Sequence, residues 1–413
     1  MISIHEALDS VLGAVRPLGD EEVPLLEALG RAAAQEILSP DQVPSFSNSA
    51  MDGFAVSGAA LEAGRRAFTV TVDIPAGRFV DEPVAPGAAA RIMTGAPLPP
   101  GVDTVVQVEH TTSSGDQMTV DQVPRTGANV RRAGEDVTVG DVLFKRGARL
   151  GAGEVGLLAA VGIERIRVVR RPRVAIIATG SELVPPGLPL RPGQIRNSNS
   201  FTAYGQVLDA GAVPVLLGIA RDDVDETRRL LAAALEQDVV ITSGGVSVGD
   251  YDFVKQVQDE LGVERRFWGI ATKPGKPLAF GVRGRTLVFG VPGNPVASMV
   301  SAEMYVRPAL LALQGRPDVY RPHFFATAAE PVGRTKDRTE ARRCRLVHGP
   351  YGLRFTTTGP QGSGILSSMS GAEGLVFVPP GFPGGEVGTE LLVTLFAGSS
   401  TERPPYPAAP PTV

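Results

Sequence analysis

Apolar residues at Ile4, Ala7, Leu8, Val11, Leu12 and Val15 recur at helical spacing. Ser3 and Glu6 supply a capping box before them, so the pattern predicts a helix over residues 3–15. A second helical pattern runs from about Pro24 to Leu38 and stops before Pro40. From about Phe46 to Leu143 the period changes. Short alternating runs such as Ala67–Val72, Thr104–Val108 and Met118–Val123 lie between Gly/Pro turns and predict a β-rich insertion. Helix-like patterning returns at 151–163, which predicts a first domain that is discontinuous in sequence.

After Arg170-Arg171-Pro172 the chain alternates strictly. Strands are predicted at Val174–Ala178, Val213–Ile219, Val239–Thr242, Leu278–Val282 and Leu287–Gly290. Helices are predicted at Ser200–Ala210, Asp223–Glu236, Tyr251–Leu261 and from Pro295. Alternation of this length implies a three-layer αβα domain on a mainly parallel sheet, with ligands beyond the carboxyl ends of the strands. Short strands return from Pro322 to Phe396, and the stretch after Thr401 reads as a flexible Pro-rich tail. The expected organisation is α/β and multidomain. Residues 1–45 and 141–170 form a helical N-terminal subdomain and 46–140 a β-rich insertion. Residues 171–320 form the αβα domain, 321–400 a small C-terminal β-domain and 401–413 the tail.

Composition narrows the function. A formal charge of −4 gives no global reason to expect nucleic-acid binding. A single cysteine, Cys344, excludes an internal disulfide and a C-x-x-C metal site, and the four histidines are far apart in sequence. Any metal should be a hard cation on carboxylates, such as Mg²⁺. No run of about 18 uninterrupted apolar residues occurs and no basic and apolar leader opens the sequence, so a cytoplasmic location without membrane contact is expected.

The candidate chemistry lies in three Gly/Pro-rich loops that follow apolar runs. Ser243-Gly244-Gly245-Val246-Ser247 leaves the run Val239–Thr242, and its glycines let backbone approach an anion, although a plain βα turn has the same composition. It is neither a Walker loop nor a dinucleotide fingerprint. Asp250 and Asp252 follow and suit Mg²⁺; Asp250 also suits a helix cap. In Lys273-Pro274-Gly275-Lys276-Pro277 each lysine precedes a proline, which favours extended backbone, and Pro274-Gly275 suits the centre of a type II turn. Two ammonium groups on a stiff loop would receive a compact dianion; the alternative is a pair of solvated lysines around a turn. Pro292-Gly293-Asn294-Pro295 opens a helix, and capping by Asn294 alone explains it. Ser49–Ala55, Arg91–Pro97 and Gly134–Val137 are polar Gly-containing loops that read as turns on their own.

Taken in order, Ser-Ala-Met-Asp-Gly-Phe-Ala (49–55), Arg-Ile-Met-Thr-Gly-Ala-Pro (91–97), Ala-Thr-Gly-Ser-Glu-Leu (178–183) and the three loops resemble the molybdopterin molybdenumtransferases, the MoeA/gephyrin E-domain family. The resemblance spans about residues 3–398. It implies an L-shaped, four-subdomain protomer in a homodimer whose cleft is completed by the partner's β-rich subdomain. It implies molybdate insertion into adenylylated molybdopterin with release of AMP, assisted by Mg²⁺, with transient contact to a molybdopterin adenylyltransferase. Carried over, Asp52, Thr94, Asp136, Glu182, Asp222 and Asp252 serve catalysis, with Glu182 and Asp252 on the metal. Lys273, Lys276, Ser298, Arg343 and Ser363 bind molybdate. Thr179, Gly180, Ser243, Gly244, Gly245, Ser247, Pro292, Gly293 and Asn294 hold the pterin-nucleotide.

One departure stands out. The family often carries Ser directly after Pro-Gly-Asn-Pro-Val, whereas Ala297 and then Ser298 stand here, about 100° apart around the helix. Two other functions remain open on sequence alone. One is a molybdopterin adenylyltransferase-like enzyme, for which a lone αβα domain would suffice. The other is a non-catalytic dimeric scaffold that binds molybdate or pterin.

Overall fold

A computed structural model describes residues 1–245, 253–349 and 352–407. The central sheet has six strands in the order Val213–Ala220, Arg173–Thr179, Val239–Ser243, Thr286–Val291, Ala279–Arg283 and Glu264–Trp268. The first four are parallel, and the continuous burial of Arg173–Thr179 and Val239–Ser243 fits strands covered on both faces. Ala279–Arg283 runs against them, joined to Thr286–Val291 through a tight turn at Gly284, φ +59°, and Glu264–Trp268 adds at the edge antiparallel to it, so that it points with the first four. That edge strand reads Glu-Arg-Arg-Phe-Trp and escapes an apolar-run criterion.

The capping box at Ser3 and Glu6 forms as expected, and the first helix is Ile4–Ala14. Its apolar face does not build an N-terminal subdomain. Ile4, Ala7, Leu8 and Val11 pack into the core beneath the central sheet, beside Val174, Phe280 and Phe289. The second predicted helix does not form. Asp20–Pro24 is a strand paired antiparallel with Arg165–Val169, Leu25–Ala28 is a single 3₁₀ turn, and Ile37–Leu38 pairs with Val142–Phe144. Gly30 in the left-handed region ends the helical run, and Val23, Ala28, Leu158 and Val168 form the core that this segment shares with the Ala152–Ala160 helix.

The β-rich segment is a six-stranded sheet. Two neighbouring inner strands, Gly53–Val56 and Ala88–Ile92, carry separate apolar clusters on their two faces. In the C-terminal domain the eleven-residue strand Thr339–Gly349 pairs with both Gly352–Thr357 and Gly374–Val378, which closes five strands into a small barrel. The Thr272–Lys273 strand, from the central part of the chain, joins Thr339–Gly349 in parallel.

The Pro-rich end is not a free tail as far as residue 407. Tyr406 is 9% exposed and packs edge-on against Phe377 at 4.9 Å. Its carbonyl lies 3.1 Å from His5 Nε2, and the Thr339 hydroxyl donates to the Pro407 carbonyl. Arg403 pairs with Asp9 on the first helix and lies over the Tyr320 ring. The helical rod 295–313 has the length and apolarity of a membrane span, but 89% of it is buried inside the chain, which makes it a core helix.

Candidate functional site

A cleft of about 840 Å³ opens at the carboxyl ends of the parallel strands. Thr179, Gly180, Glu182, Asp222, Ser243, Gly244, Gly245, Pro292, Gly293 and Asn294 all line it. Ser247 and Asp252 lie outside the described residues. Two loops face each other on one wall: the Ser181 backbone N–H donates to the Asp222 carboxylate, and the Asp222 N–H donates to the Ser181 hydroxyl. Gly180 has φ +140°, and a Cβ there would sit 2.4 Å from a Glu182 carboxylate oxygen. The Glu182 carboxylate therefore folds back over a position that only glycine leaves open.

The Gly-rich loop is tied to its neighbours. Gly244 N–H donates to the Val291 carbonyl, so that donor is engaged and not offered to an anion, a correction to the expectation of a free backbone cradle at this residue. Gly244 has φ +93°, and a Cβ would meet Thr179 Oγ1 at 2.6 Å and the Thr179 carbonyl oxygen at 2.8 Å. Gly244→Ala is expected to destabilise the protein by about 1–3 kcal/mol, from forced backbone geometry together with the clash, measured by urea unfolding.

Asn199 is the residue that sequence reasoning missed. It begins the helix Asn199–Asp209, is 8% exposed, and its Nδ2 donates to both Ser243 Oγ and the Gly293 carbonyl at 2.7 Å. It thus joins the first and third loops. Arg196 and Arg221 also line the cleft and place positive charge at its wall. The only sequence signal for the Asn199 group was a polar run, Arg196-Asn197-Ser198-Asn199, ahead of a helix.

Asn294 occupies the N-cap position of the Pro295–Ser301 helix, but its side chain makes no capping bond and stays exposed in the cleft. Capping alone therefore does not account for it. The helix N-terminus is closed from another domain, because Val296 N–H donates to the Ser363 carbonyl at 3.1 Å. Gly364 and Leu366 of that same loop line the cleft.

Arg343 was expected to ligate an anion directly, and its placement argues otherwise. It is 0% exposed and donates to Ser368 Oγ and to the carbonyls of Pro360, Gln361 and Gly362. Its guanidinium holds the loop that carries Ser363 against the cleft. Ser298 requires a similar correction. At 2% exposure it faces the protein interior, as does Ala297 at 3%, so neither position presents a hydroxyl to the cleft.

Neither of the two lysines lines the main cleft. Lys273 and Lys276 are exposed, whereas Pro274 and Gly275 between them are buried. Gly275 has φ +104°, and a Cβ there would lie 3.0 Å from Ser301 Oγ. Pro277 reaches the main cleft. Lys273 itself lines a second cavity of about 330 Å³ with Glu340 and Arg342.

The candidates of the β-rich subdomain gather away from this cleft. Asn48–Ser49 pairs with Val130–Arg131, and Ser49 exchanges backbone bonds with Gly95 and Ala96, so the 49–55 and 91–97 loops are neighbours. The Asp52 carboxylate accepts from the Thr94 N–H and hydroxyl at 2.7 Å, which holds the carboxyl below its ordinary range. Asp136 follows Val130–Arg131 and is anchored through its N–H on the Val43 carbonyl. None of the three lines the cleft of its own chain.

The fold and cleft define a multidomain protein with a molybdopterin-binding type of central domain. Residues 175–312 match the family described as "Probable molybdopterin binding domain". Residues 2–162 match the MoeA N-terminal region (domain I and II), and 326–396 the MoeA C-terminal region (domain IV). The chain is 38% identical over 405 residues to molybdopterin molybdenumtransferase 2 of Mycobacterium tuberculosis, covering 95% of this chain and 99% of that one. It is 36% identical over 384 residues to the molybdopterin molybdenumtransferase of Haemophilus influenzae, covering 89% and 92%. A crystal structure of the molybdopterin biosynthesis MoeA protein from Pyrococcus horikoshii OT3 superposes with a TM-score of 0.81 at 28% identity, over 96% of this chain and all of that one. The chain belongs to the molybdopterin molybdenumtransferase (MoeA) family.

Proposed function

We propose that the chain inserts molybdenum from molybdate into molybdopterin, takes the adenylylated pterin as substrate, and releases AMP. The observation that carries this reading is the meeting of three loops, 180–182, 243–245 and 292–294, in one cleft, with the two-lysine loop entering its edge at Pro277. The cleft volume suits a nucleotide-sized ligand, and its wall combines glycine backbone and short polar side chains with apolar Leu183, Ile195, Phe253 and Leu366.

In this reading Lys273 and Lys276 hold the tetrahedral dianion by charge, and the cleft holds the adenylylated pterin beside it. The protein thus supplies proximity. Arg196 and Arg221 offset the phosphate charge. No protein nucleophile is invoked, in keeping with Cys344, which is buried in the barrel with its thiol pushed up to about 12 by burial.

Among the described residues no three His, Cys, Asp or Glu side chains cluster as a preformed metal cage. Two carboxylates among the described residues, Glu182 and Asp222, line the cleft, and the expected ligand Asp252 lies outside them; carboxylates of this kind suit Mg²⁺, an ion that completes its shell with water and substrate phosphate. Bound there, Mg²⁺ would polarise the phosphate that leaves with AMP.

A homodimer belongs to the same proposal. Asp52, Thr94 and Asp136 lie outside the cleft of their own chain, so they act only if a partner presents them. Helix Asn199–Asp209 carries an exposed apolar stripe, Phe201, Tyr204 and Leu208, at helical spacing. A hand-over from an adenylyltransferase and a cytoplasmic location complete the reading. The test is a time course of AMP release from purified protein, adenylylated molybdopterin, Mg²⁺ and molybdate. AMP is expected to accumulate with molybdate present, and a rate no greater than the enzyme-free control overturns the assignment.

A further inference from the structure

We propose that Glu340 is a positioning residue for Lys273. Its carboxylate holds the ammonium group where an oxyanion meets it, and Arg342 in turn holds the carboxylate. The proposal rests on Lys273 being a molybdate ligand.

The arrangement begins in the backbone. Lys273 and Glu340 are paired residues in the parallel register of Thr272–Lys273 with Thr339–Glu340. Side chains of directly paired residues leave the same face of a sheet, and residues two apart on one strand do so too. Glu340 and Arg342 therefore share the face of Lys273. Lys273 Nζ donates to Glu340 Oε1 at 2.9 Å. Arg342 donates to Glu340 Oε2 through Nε at 2.9 Å and through Nη2 at 2.7 Å. Arg342 Nη2 also donates to the Gly333 carbonyl, so the guanidinium is fixed from a second segment.

Burial grades along this chain of contacts. The side chains of Arg342 and Glu340 are 12% and 13% exposed, and that of Lys273 is 58%. The pair at the base is ordered and largely dry, while the ammonium at the tip meets solvent beside the 330 Å³ cavity. Burial pushes the Glu340 carboxyl up, but the bonds from Lys273 and Arg342 outweigh it and leave it below its ordinary value, so it remains ionised.

The charges support a holding role. One carboxylate shared by two cations leaves the trio with a net positive charge. An ammonium has three donors, and one spent on Glu340 leaves two for an oxyanion. A free lysine stem would lose much of its rotamer freedom on capturing a small ion, and Glu340 removes part of that freedom beforehand. The pairing had no sequence signal, since the partners lie far apart along the chain and meet only through the strand register.

The test measures KM for molybdate and kcat for AMP release in Glu340→Ala, Glu340→Gln, Glu340→Asp, Lys273→Ala and the Lys273→Ala/Glu340→Ala double variant, with a melting curve for each. Glu340→Ala is expected to raise KM for molybdate about tenfold with kcat changed less than about twofold, as for a residue acting on binding alone. Glu340→Gln, which keeps the acceptor but not the charge, should fall between it and the parent. In the Lys273→Ala background, Glu340→Ala should add nothing, because two residues acting through one contact are not additive. An unchanged KM in Glu340→Ala and Glu340→Gln overturns the proposal, and so does a full additive effect in the double variant. If Lys273→Ala itself leaves KM for molybdate unaltered, the lysine assignment fails. If Lys273→Ala raises KM and the Glu340 variants do not, only the positioning role falls. Should Glu340→Ala fail to fold, Glu340→Gln and Glu340→Asp give the same readouts.

Discussion

Replacing Lys273 and Lys276 together with alanine is expected to lower kcat/KM for molybdate-dependent AMP release by about 10²–10⁴-fold, from two charge-assisted contacts of roughly 1.5–3 kcal/mol each. The fold should survive the change. Both side chains are exposed, and the loop is shaped by buried Pro274 and Gly275 and by the strand pairing of Thr272–Lys273, none of which the substitutions touch. Alanine at 273 does remove the bond to Glu340, whose carboxylate keeps its pairing with Arg342. Steady-state kinetics across a molybdate series, set beside a circular-dichroism melt of the same preparation, separates the two effects. Full activity in the double variant would show that the oxyanion is held elsewhere.

The second large effect is on stability. Tyr406→Ala is expected to cost about 3–5 kcal/mol, the range for truncating a buried aromatic. Tyr406 belongs to the same core cluster as the first helix and the central sheet, with its ring against Phe377 and near His5. Burial also pushes its hydroxyl well above the ordinary tyrosine range. Removing the chain from Arg403 onward should cost more, because the ion pair with Asp9 and the stacking on Tyr320 go with it. Urea unfolding of both variants measures this. A truncation with an unchanged midpoint would mean that the segment merely lies on the surface.

These two regions differ in how far the sequence revealed them. The parallel strands were legible because strands buried on both faces must be continuous apolar runs, and Val239–Ser243 is one. Pro24–Leu38 misled because Ala-rich segments satisfy helical spacing while packing as turns and short strands around Gly30. The terminal segment misled because proline content reports backbone stiffness, and nothing in composition says that Tyr406 has a slot to fill. At the site, the loops showed themselves through glycine and proline. Three contacts made only in three dimensions did not: Asn199 joining Ser243 to Gly293, Arg343 gripping the 360–362 carbonyls, and Glu340 on Lys273.

The Thr272–Lys273 strand is encoded within the central domain yet hydrogen-bonds into the C-terminal barrel. Lys273 is therefore anchored to the barrel by its backbone pairing, while Gly275 two residues on packs against Ser301 of the central domain. One buried core holds Ala341, Leu375 and Phe377 of the barrel beside Phe280 and Phe289 of the central sheet, so the two-lysine loop sits on a seam that both domains pack. A cavity made in that shared core, far from the cleft, is therefore expected to disturb the two-lysine loop together with the barrel.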